Sequence, residues 1–214
     1  MIQFHRVTRI LSLRVPFLAL LSLLFAAGPV SSQETFVAGS AHAIVKDVQD
    51  QLLNTIRNGD NIVVNDEAAY FEKVSVILTP IVDFSYIARG VMGPHFAKVS
   101  SQQQVEFTHV FKDGLVSTYA KGMANFSDRD ISVLAPKGDI SDHKTISVAQ
   151  EVRGDDGVNR VSYTMKLNRE GQWKLVNVVL NGINLGKTFR TQFSQAARQN
   201  DGDIPAVIAE WSVE

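Results

Sequence analysis

Residues 158–188, VNRVSYTMKLNREGQWKLVNVVLNGINLGKT, contain two largely apolar runs joined by a short turn and followed by a glycine-containing loop. In the first run, Val161, Tyr163, Met165 and Leu167 alternate with polar residues. A period of two is typical of a strand that buries one face. The loop NREG between the runs is too short for a crossover connection, so the strands are expected to pair antiparallel. This stretch predicts a hairpin with one apolar and one polar face.

The same pattern continues through the second half of the chain. Four strands are predicted, in residues 130–136, 144–153, 158–167 and 172–180. Clusters of Gly, Asp and Asn, which favour turns, lie between them. Because the connecting loops are short, the predicted sheet is antiparallel. Because only one of its faces is apolar, helices are expected to cover one side alone.

Helical periodicity dominates the region before the sheet. Ile44, Val48, Leu52 and Ile56 form one stripe at a four-residue spacing, as expected for a helix with one buried face. Helices are predicted in residues 40–59, 66–83, 83–93 and 100–126, and after the sheet in residues 187–199 and 204–211.

The helix predicted at 100–126 has the clearest pattern. Ser101 and Gln104 have the spacing of a capping box, which marks the beginning of a helix. The apolar face of this helix contains Phe107, Phe111, Leu115, Tyr119 and Met123. The predicted fold class is therefore α+β, with helices packed on one face of a curved four-stranded antiparallel sheet.

The loop at 181–188, NGINLGKT, differs by one residue from a phosphate-binding loop. That motif, G-x-x-x-x-G-K-[ST], requires glycine where this chain has Asn181. It also requires further parallel strands, and no strand is predicted after Thr188. Nucleotide binding is therefore rejected. Asn181 and Gly182 are predicted to form a turn, and Lys187 is predicted to be a solvated charge at a helix start.

The first 32 residues have the features of a secretory signal peptide. Arg6, Arg9 and Arg14 precede the short apolar run VPFLALLSLLFAA, and small residues follow it. The apolar run is shorter than the span of about 20 residues that crosses a membrane. Cleavage near Ser32 is predicted, which leaves a single exported domain of residues 33–214.

Composition excludes several functions. Residues 33–214 carry 18 basic and 22 acidic side chains without a basic cluster, so no nucleic-acid partner is predicted. The chain has no Cys, which excludes disulfides, thiol catalysis and thiolate metal sites. His42, His95, His109 and His143 lack ligand spacing, and no nucleophile elbow occurs. No catalytic residue, metal site or cofactor is predicted, and the chain is not expected to be an enzyme.

Apolar side chains are plentiful on the predicted inner faces of the helices and the sheet. They either fill a solid core or line a cavity between the sheet and the helices. A curved sheet covered by helices can leave such a cavity, and pre-formed apolar cavities bind ligands. The residues alone leave both possibilities open.

Three stretches together resemble the MlaC family, also called the toluene-tolerance family. They are VDFSYIARGVMGPHF at 82–96, SSQQQVEFTHVFKDGLVSTYA at 100–120 and QWKLVNVVLNGINLGKTFRTQF at 172–193. The matching positions are Phe84, Gly93, Gln104, Phe107, Phe111, Tyr119, Trp173, Gly182, Leu185, Phe189, Arg190 and Phe193. The chain departs from the family pattern by having asparagine at 177, 181 and 184.

This resemblance implies a periplasmic carrier with a nuclear-transport-factor-like cone that holds phospholipid acyl chains in an apolar cavity. It also implies two partners, namely an inner-membrane ABC lipid transporter complex with a ring-shaped lipid-binding subunit and an outer-membrane lipoprotein complex. The residues predicted to contact lipid are Phe84, Met92, Phe96, Phe111, Leu115, Tyr119, Val148, Val161, Tyr163, Met165, Val179, Ile183, Leu185, Phe189 and Phe193.

Three alternatives stay open on the sequence. The carrier could hold another apolar lipid, such as a hopanoid. The fold could instead form a pocket enzyme acting on a small apolar substrate, with Asp83, His109 or Glu151 pointing inward. An adaptor without a ligand would have a filled core and an exposed apolar patch.

Overall fold

A computed structural model of the chain describes residues 37, 39–57, 66–123, 128–155 and 157–213. All of these residues belong to one unit, Glu34–Glu214, and a separate unit comprises Met1–Gln33. The predicted signal peptide, residues 1–32, lies outside the described residues.

Helices precede the sheet, as the apolar periodicity predicted. They are α1 Ala41–Arg57, α2 Glu67–Leu78, α3 Phe84–Met92, a 3-10 helix Gly93–Lys98, and α4 Ser101–Met123. The predicted helix 66–83 ends early, at Leu78, because Pro80 cannot continue the hydrogen-bond ladder. Asp83 then caps α3, its carboxylate accepting a hydrogen bond from the Tyr86 backbone N–H at 2.9 Å.

The capping box at the start of α4 lies one residue earlier than predicted. The Ser100 hydroxyl accepts a hydrogen bond from the Gln103 N–H at 3.2 Å, and the Gln103 side chain accepts one from the Ser100 N–H at 2.8 Å. The Gln104 amide instead donates to the Phe96 carbonyl at 2.9 Å, tying α4 to the 3-10 helix. The run SSQQQ contains both spacings, which explains the misassignment.

The sheet is antiparallel with strand order β1-β2-β3-β4-β5. Its strands are β1 Asp130–Val133, β2 Thr145–Gly154, β3 Gly157–Leu167, β4 Trp173–Leu180 and β5 Ile183–Asn184. The prediction of four strands was therefore one too few, because the two-residue β5 is too short to show a period. The turn predicted at Asn181 and Gly182 is confirmed, and both residues have positive φ angles of 48° and 85°.

A β-bulge interrupts the pairing of β3 with β4. Thr164 pairs with Asn177, but Met165 pairs with Leu175, so Val176 is an extra residue on β4. A bulge bends the strand that carries it and increases the local twist. The bulge therefore marks a local bend at the centre of β4.

Two helices follow the sheet, α5 Leu185–Gln199 and α6 Ile204–Ala209. The Asn184 side chain caps α5 by accepting a hydrogen bond from the Lys187 N–H at 3.0 Å. Lys187 is exposed, as predicted for a solvated charge. The loop therefore ends an antiparallel meander and starts a helix, which differs from the parallel strands that surround a phosphate-binding loop.

Aromatic rings of α4, α5 and the segment after α6 form a solid core, here called the packed aromatic cluster: Phe107, Phe111, Phe189, Phe193 and Trp211. Phe107 and Phe193 meet edge to face with ring centres 4.9 Å apart. Phe107 and Phe193 have no exposed surface. This cluster joins α4 to the helices that follow the sheet.

Candidate functional site

An apolar cavity of about 440 Å³ lies between the helices and the curved face of the sheet. This volume falls within the range of ~300–1,000 Å³ typical of ligand pockets. Helices provide Val45, Val48, Gln49, Leu52, Leu53, Ile56, Leu78, Phe84, Ile87, Phe111, Leu115, Val116, Tyr119, Met123, Leu185, Gly186 and Phe189, and the turn after α2 provides Ile81 and Val82. The sheet provides Ile131, Gln150, Val152, Asn159, Val161, Tyr163, Met165, Leu175, Asn177, Val178 and Leu180.

The described wall of the cavity carries no Asp, Glu, Lys, Arg or His side chain. Its titratable groups are Tyr119 and Tyr163, and burial raises the pKa of both phenols above the ordinary tyrosine value. Both side chains are therefore neutral at physiological pH. An uncharged, mostly hydrocarbon wall favours an apolar ligand, because a charged one would lose its hydration without compensation.

Three polar side chains on the wall form a hydrogen-bonded group, here called the amide cluster: Gln49, Gln150 and Tyr163. The other polar wall residues are Tyr119, Asn159 and Asn177. The Tyr163 hydroxyl donates to Gln150 Oε1 at 2.7 Å, and Gln150 Nε2 donates to Gln49 Oε1 at 2.9 Å. Gln49 Nε2 in turn donates to the Ile131 carbonyl at 3.2 Å. The cluster connects α1 to three strands of the sheet.

The loop NGINLGKT closes one side of the cavity through Gly186. The Asn177 side-chain oxygen accepts a hydrogen bond from the Gly186 N–H at 3.2 Å. A Cβ at position 186 would lie 2.6 Å from that oxygen, so a larger residue would break the contact. The glycine that suggested a phosphate-binding loop instead allows α5 to approach β4 closely.

Nine of the fifteen residues predicted to contact lipid lie on the cavity wall: Phe84, Phe111, Leu115, Tyr119, Val161, Tyr163, Met165, Leu185 and Phe189. Their position matches the prediction, and their contact with a lipid stays a prediction. The alternation of β3 and the apolar face of α4 were the patterns that found most of them.

The structure places the other six elsewhere. Met92 and Phe193 are fully buried in the core around the packed aromatic cluster, and Phe96 packs against it. Val148 is buried in a separate core formed with α1 and β1.

The remaining two of the six lie on β4 and β5. Val179 pairs with Ser162 and so belongs to the opposite face of the sheet from the cavity. Ile183, in the short strand β5, is 59% exposed. Apolar character alone did not separate these residues from those of the wall.

The site prediction missed the contribution of α1. This helix supplies the wall residues Val45, Val48, Gln49, Leu52, Leu53 and Ile56. Three of them belong to the apolar stripe that predicted the helix, so the stripe was the signal that could have found them. The wall residues Ile131, Gln150 and Val152 of β1 and β2 were missed as well.

The residues considered for a pocket enzyme do not reach the cavity wall. Asp83 caps α3, and His109 is exposed on α4. Glu151 is buried on the other face of the sheet, where Arg153 and Arg160 form ion pairs with it. Within the described part of the chain, no group of His, Asp or Glu could hold a metal ion. No helix among the described residues is long and apolar enough to cross a membrane.

These features define the class of protein. It is an α+β domain in which helices cover one face of an antiparallel sheet and enclose an apolar cavity. Residues 46–213 match the MlaC protein family, and the chain belongs to that family. This result confirms the resemblance seen in the sequence.

Among the known proteins that are similar to this chain are a relative by sequence and a solved structure. The toluene tolerance protein Ttg2D of Pseudomonas putida is 32% identical over 196 residues, which cover 91% of this chain and 88% of that protein. A phospholipid-binding protein from Ralstonia solanacearum, solved in complex with a phospholipid, has a TM-score of 0.72 and 22% identity. The match covers 79% of this chain and 93% of the Ralstonia chain, and it shows that the two share a fold.

Proposed function

We propose that the protein is a carrier that holds phospholipid acyl chains in the apolar cavity. The observation that carries this proposal is the absence of charged side chains from the described wall of a cavity of about 440 Å³. Such a wall offers hydrocarbon contact to fatty tails and no group suited to acid–base or nucleophilic chemistry. We therefore propose binding and transport as the function, and not catalysis.

Membership of the MlaC family supports this proposal. The Ralstonia solanacearum protein of the same fold binds phospholipid, and the Pseudomonas putida relative is a toluene tolerance protein. The lipid-contacting residues proposed here are the nine predicted wall residues together with the apolar residues of α1.

A carrier is needed because lipids cross water slowly. At about 0.8 kcal/mol per CH₂, exposing a sixteen-carbon chain to water costs on the order of 12 kcal/mol, and two chains cost twice as much. A dry cavity removes this cost for the tails without any chemical step. Release then requires a partner that favours an open form of the carrier.

We further propose that the protein works in the periplasm after removal of residues 1–32. It would exchange lipid with an inner-membrane ABC transporter complex bearing a ring-shaped lipid-binding subunit and with an outer-membrane lipoprotein complex. The family resemblance supports both partners. Pull-down of the exported protein with each complex, carried out in lipid-free and lipid-loaded forms, tests them.

Organic extraction and mass spectrometry of protein purified from its exporting host test the proposed cargo. We expect about one phospholipid per protein from the wild-type chain. In Leu115→Asp a carboxylate enters the apolar wall, so we expect bound lipid to fall at least tenfold. His109→Asp is the matched control, because it places the same group on the exposed side of the same helix and should retain lipid.

Three outcomes would contradict the proposal. Wild-type protein that carries no lipid would exclude a carrier that is loaded in its host. A hopanoid in place of phospholipid would contradict the proposed cargo, although the protein would still be a lipid carrier. Undiminished phospholipid in folded Leu115→Asp would place the lipid outside this cavity.

A further inference from the structure

The amide cluster has hydrogen-bonding capacity that it does not use. Each glutamine amide has two N–H groups. Among the described residues, Gln49 uses one for the Ile131 carbonyl and Gln150 uses one for Gln49 Oε1. One N–H of each amide therefore has no acceptor within the described part of the chain, although the two residues are only 9% and 6% exposed.

These spare donors belong to residues of the cavity wall. Gln49, Gln150 and Tyr163 all line it, and their neighbours on the wall include Val48, Leu52 and Val152. A buried donor without an acceptor is unfavourable, and a ligand oxygen placed beside it relieves that cost. The cluster thus favours ligands that carry an acceptor at this point of the cavity.

The acceptor that fits is neutral. The described wall has no Lys, Arg or His to balance a phosphate, so an anionic headgroup would be desolvated there without a counter-charge. Burial also raises the pKa of Tyr163, which keeps its phenol as a neutral donor to Gln150. A carbonyl oxygen accepts a hydrogen bond well and carries no net charge.

We propose that the amide cluster hydrogen-bonds an ester carbonyl of the bound lipid and so makes the cavity selective for acyl esters over chains without a carbonyl. This inference rests on the proposed carrier function. It assigns to Gln49 and Gln150 a specificity role that the apolar side chains of the wall cannot have.

Competition between two lipids tests this role. Delipidated protein is offered equal amounts of a diacyl phospholipid and its dialkyl ether analogue, with the same headgroup and chain length, and the bound ratio is read by native mass spectrometry. The analogue lacks the carbonyl, and its ether oxygen is a weaker acceptor. We expect the wild-type protein to prefer the diacyl lipid by about tenfold, the effect of one or two buried hydrogen bonds.

Two variants separate this selectivity from a purely structural role. Gln150→Met keeps the side-chain length and removes both hydrogen-bonding groups. This variant should therefore bind the diacyl lipid and its ether analogue about equally. Tyr163→Phe removes only the hydroxyl that orients Gln150, so the preference should fall in part. Tyr70→Phe is the matched control: its buried hydroxyl donates to the Ala120 carbonyl at 3.0 Å, away from the cavity wall, and its loss should leave the ratio unchanged.

The outcomes distinguish the two proposals. If the wild-type protein binds both lipids equally, or if folded Gln150→Met and Tyr163→Phe keep the full preference, the amide cluster does not select esters and this inference is overturned. A lower melting temperature with an unchanged ratio in these variants would likewise overturn it, since the cluster would then only fasten α1 to the sheet. Binding of neither lipid would overturn the carrier function as well.

Discussion

The packed aromatic cluster and the cavity are neighbours built from the same kinds of residue, yet one is solid and the other is hollow. Phe111 and Phe189 belong to both, and α4 contributes to each. In the cluster, helices pack directly against α4, and ring centres lie 4.9–5.7 Å apart. Across the cavity, α4 faces the sheet, whose strand β4 contains the bulge at Val176. Backbone spacing, and not residue type, decides which region is filled.

The largest expected effect comes from truncating the solid region. Phe107→Ala should lower the free energy of unfolding by about 3–5 kcal/mol, because it opens a void in a close-packed core. Leu115→Ala, on the same helix, should cost less, about 2 kcal/mol, because Leu115 is only partly buried and part of its surface borders the cavity. Urea unfolding of the lipid-free proteins measures both. Equal costs would mean that the cavity closes in solution.

Enlarging a side chain compares the two regions in the opposite way, because it adds atoms to the packed core in one variant and to the cavity in the other. Val207→Phe overpacks the core around the packed aromatic cluster and should destabilise the protein by about 1–3 kcal/mol. Val161→Phe adds the same atoms to the cavity, where there is room, and should leave stability unchanged while reducing bound lipid. Thermal unfolding and lipid extraction on the two variants check this. A loss of stability in Val161→Phe as large as that in Val207→Phe would contradict a hollow interior.

The smallest expected effect is a pH dependence. Burial raises the pKa of Tyr163 in the folded protein above its ordinary value near 10. Below about pH 10 the phenol is protonated in both the folded and the unfolded state. At higher pH the unfolded chain loses the proton first, so the free energy of unfolding falls, by up to about 1.4 kcal/mol per pH unit for one group.

Tyr163→Phe removes this contribution and should show a shallower decline between about pH 10 and 11. Tyr70 and Tyr119, whose pKa values burial also raises, are present in both proteins, so the difference reports Tyr163. If the free energy of unfolding falls equally with pH in the wild-type protein and in Tyr163→Phe, the phenol is hydrated and the amide cluster is open to water.

Much of the fold could be predicted because it depends on local patterns. Alternation along β3 gave its cavity face correctly, and the four-residue stripe gave α1. Asp83 and the turn at Asn181 were recognised from residue chemistry that acts over a few positions. Long-range features were not predicted. Nothing near Val176 indicates a bulge, and nothing in the sequence pairs Asn177 with Gly186.

The site was predictable only in part for the same reason. Residues such as Val161 and Val179 are chemically identical, and only the register of the sheet places one on the wall and the other on the opposite face. Gln49 and Gln150 are 101 positions apart and meet only because α1 crosses the sheet. The one local sign of the amide cluster was Gln150, a polar residue on the face of β2 that otherwise carries Ile146, Val148 and Val152.

The claim on which the account depends is that acyl chains enter the cavity between α1, α4 and the sheet. A crystal structure of the protein loaded with a phospholipid whose acyl chains carry bromine tests it most directly, because the anomalous signal locates the chains without ambiguity. The account predicts bromine peaks beside Leu115 and Val161, inside the cavity. Peaks confined to the outer surface, with side chains closed over the cavity, would contradict it.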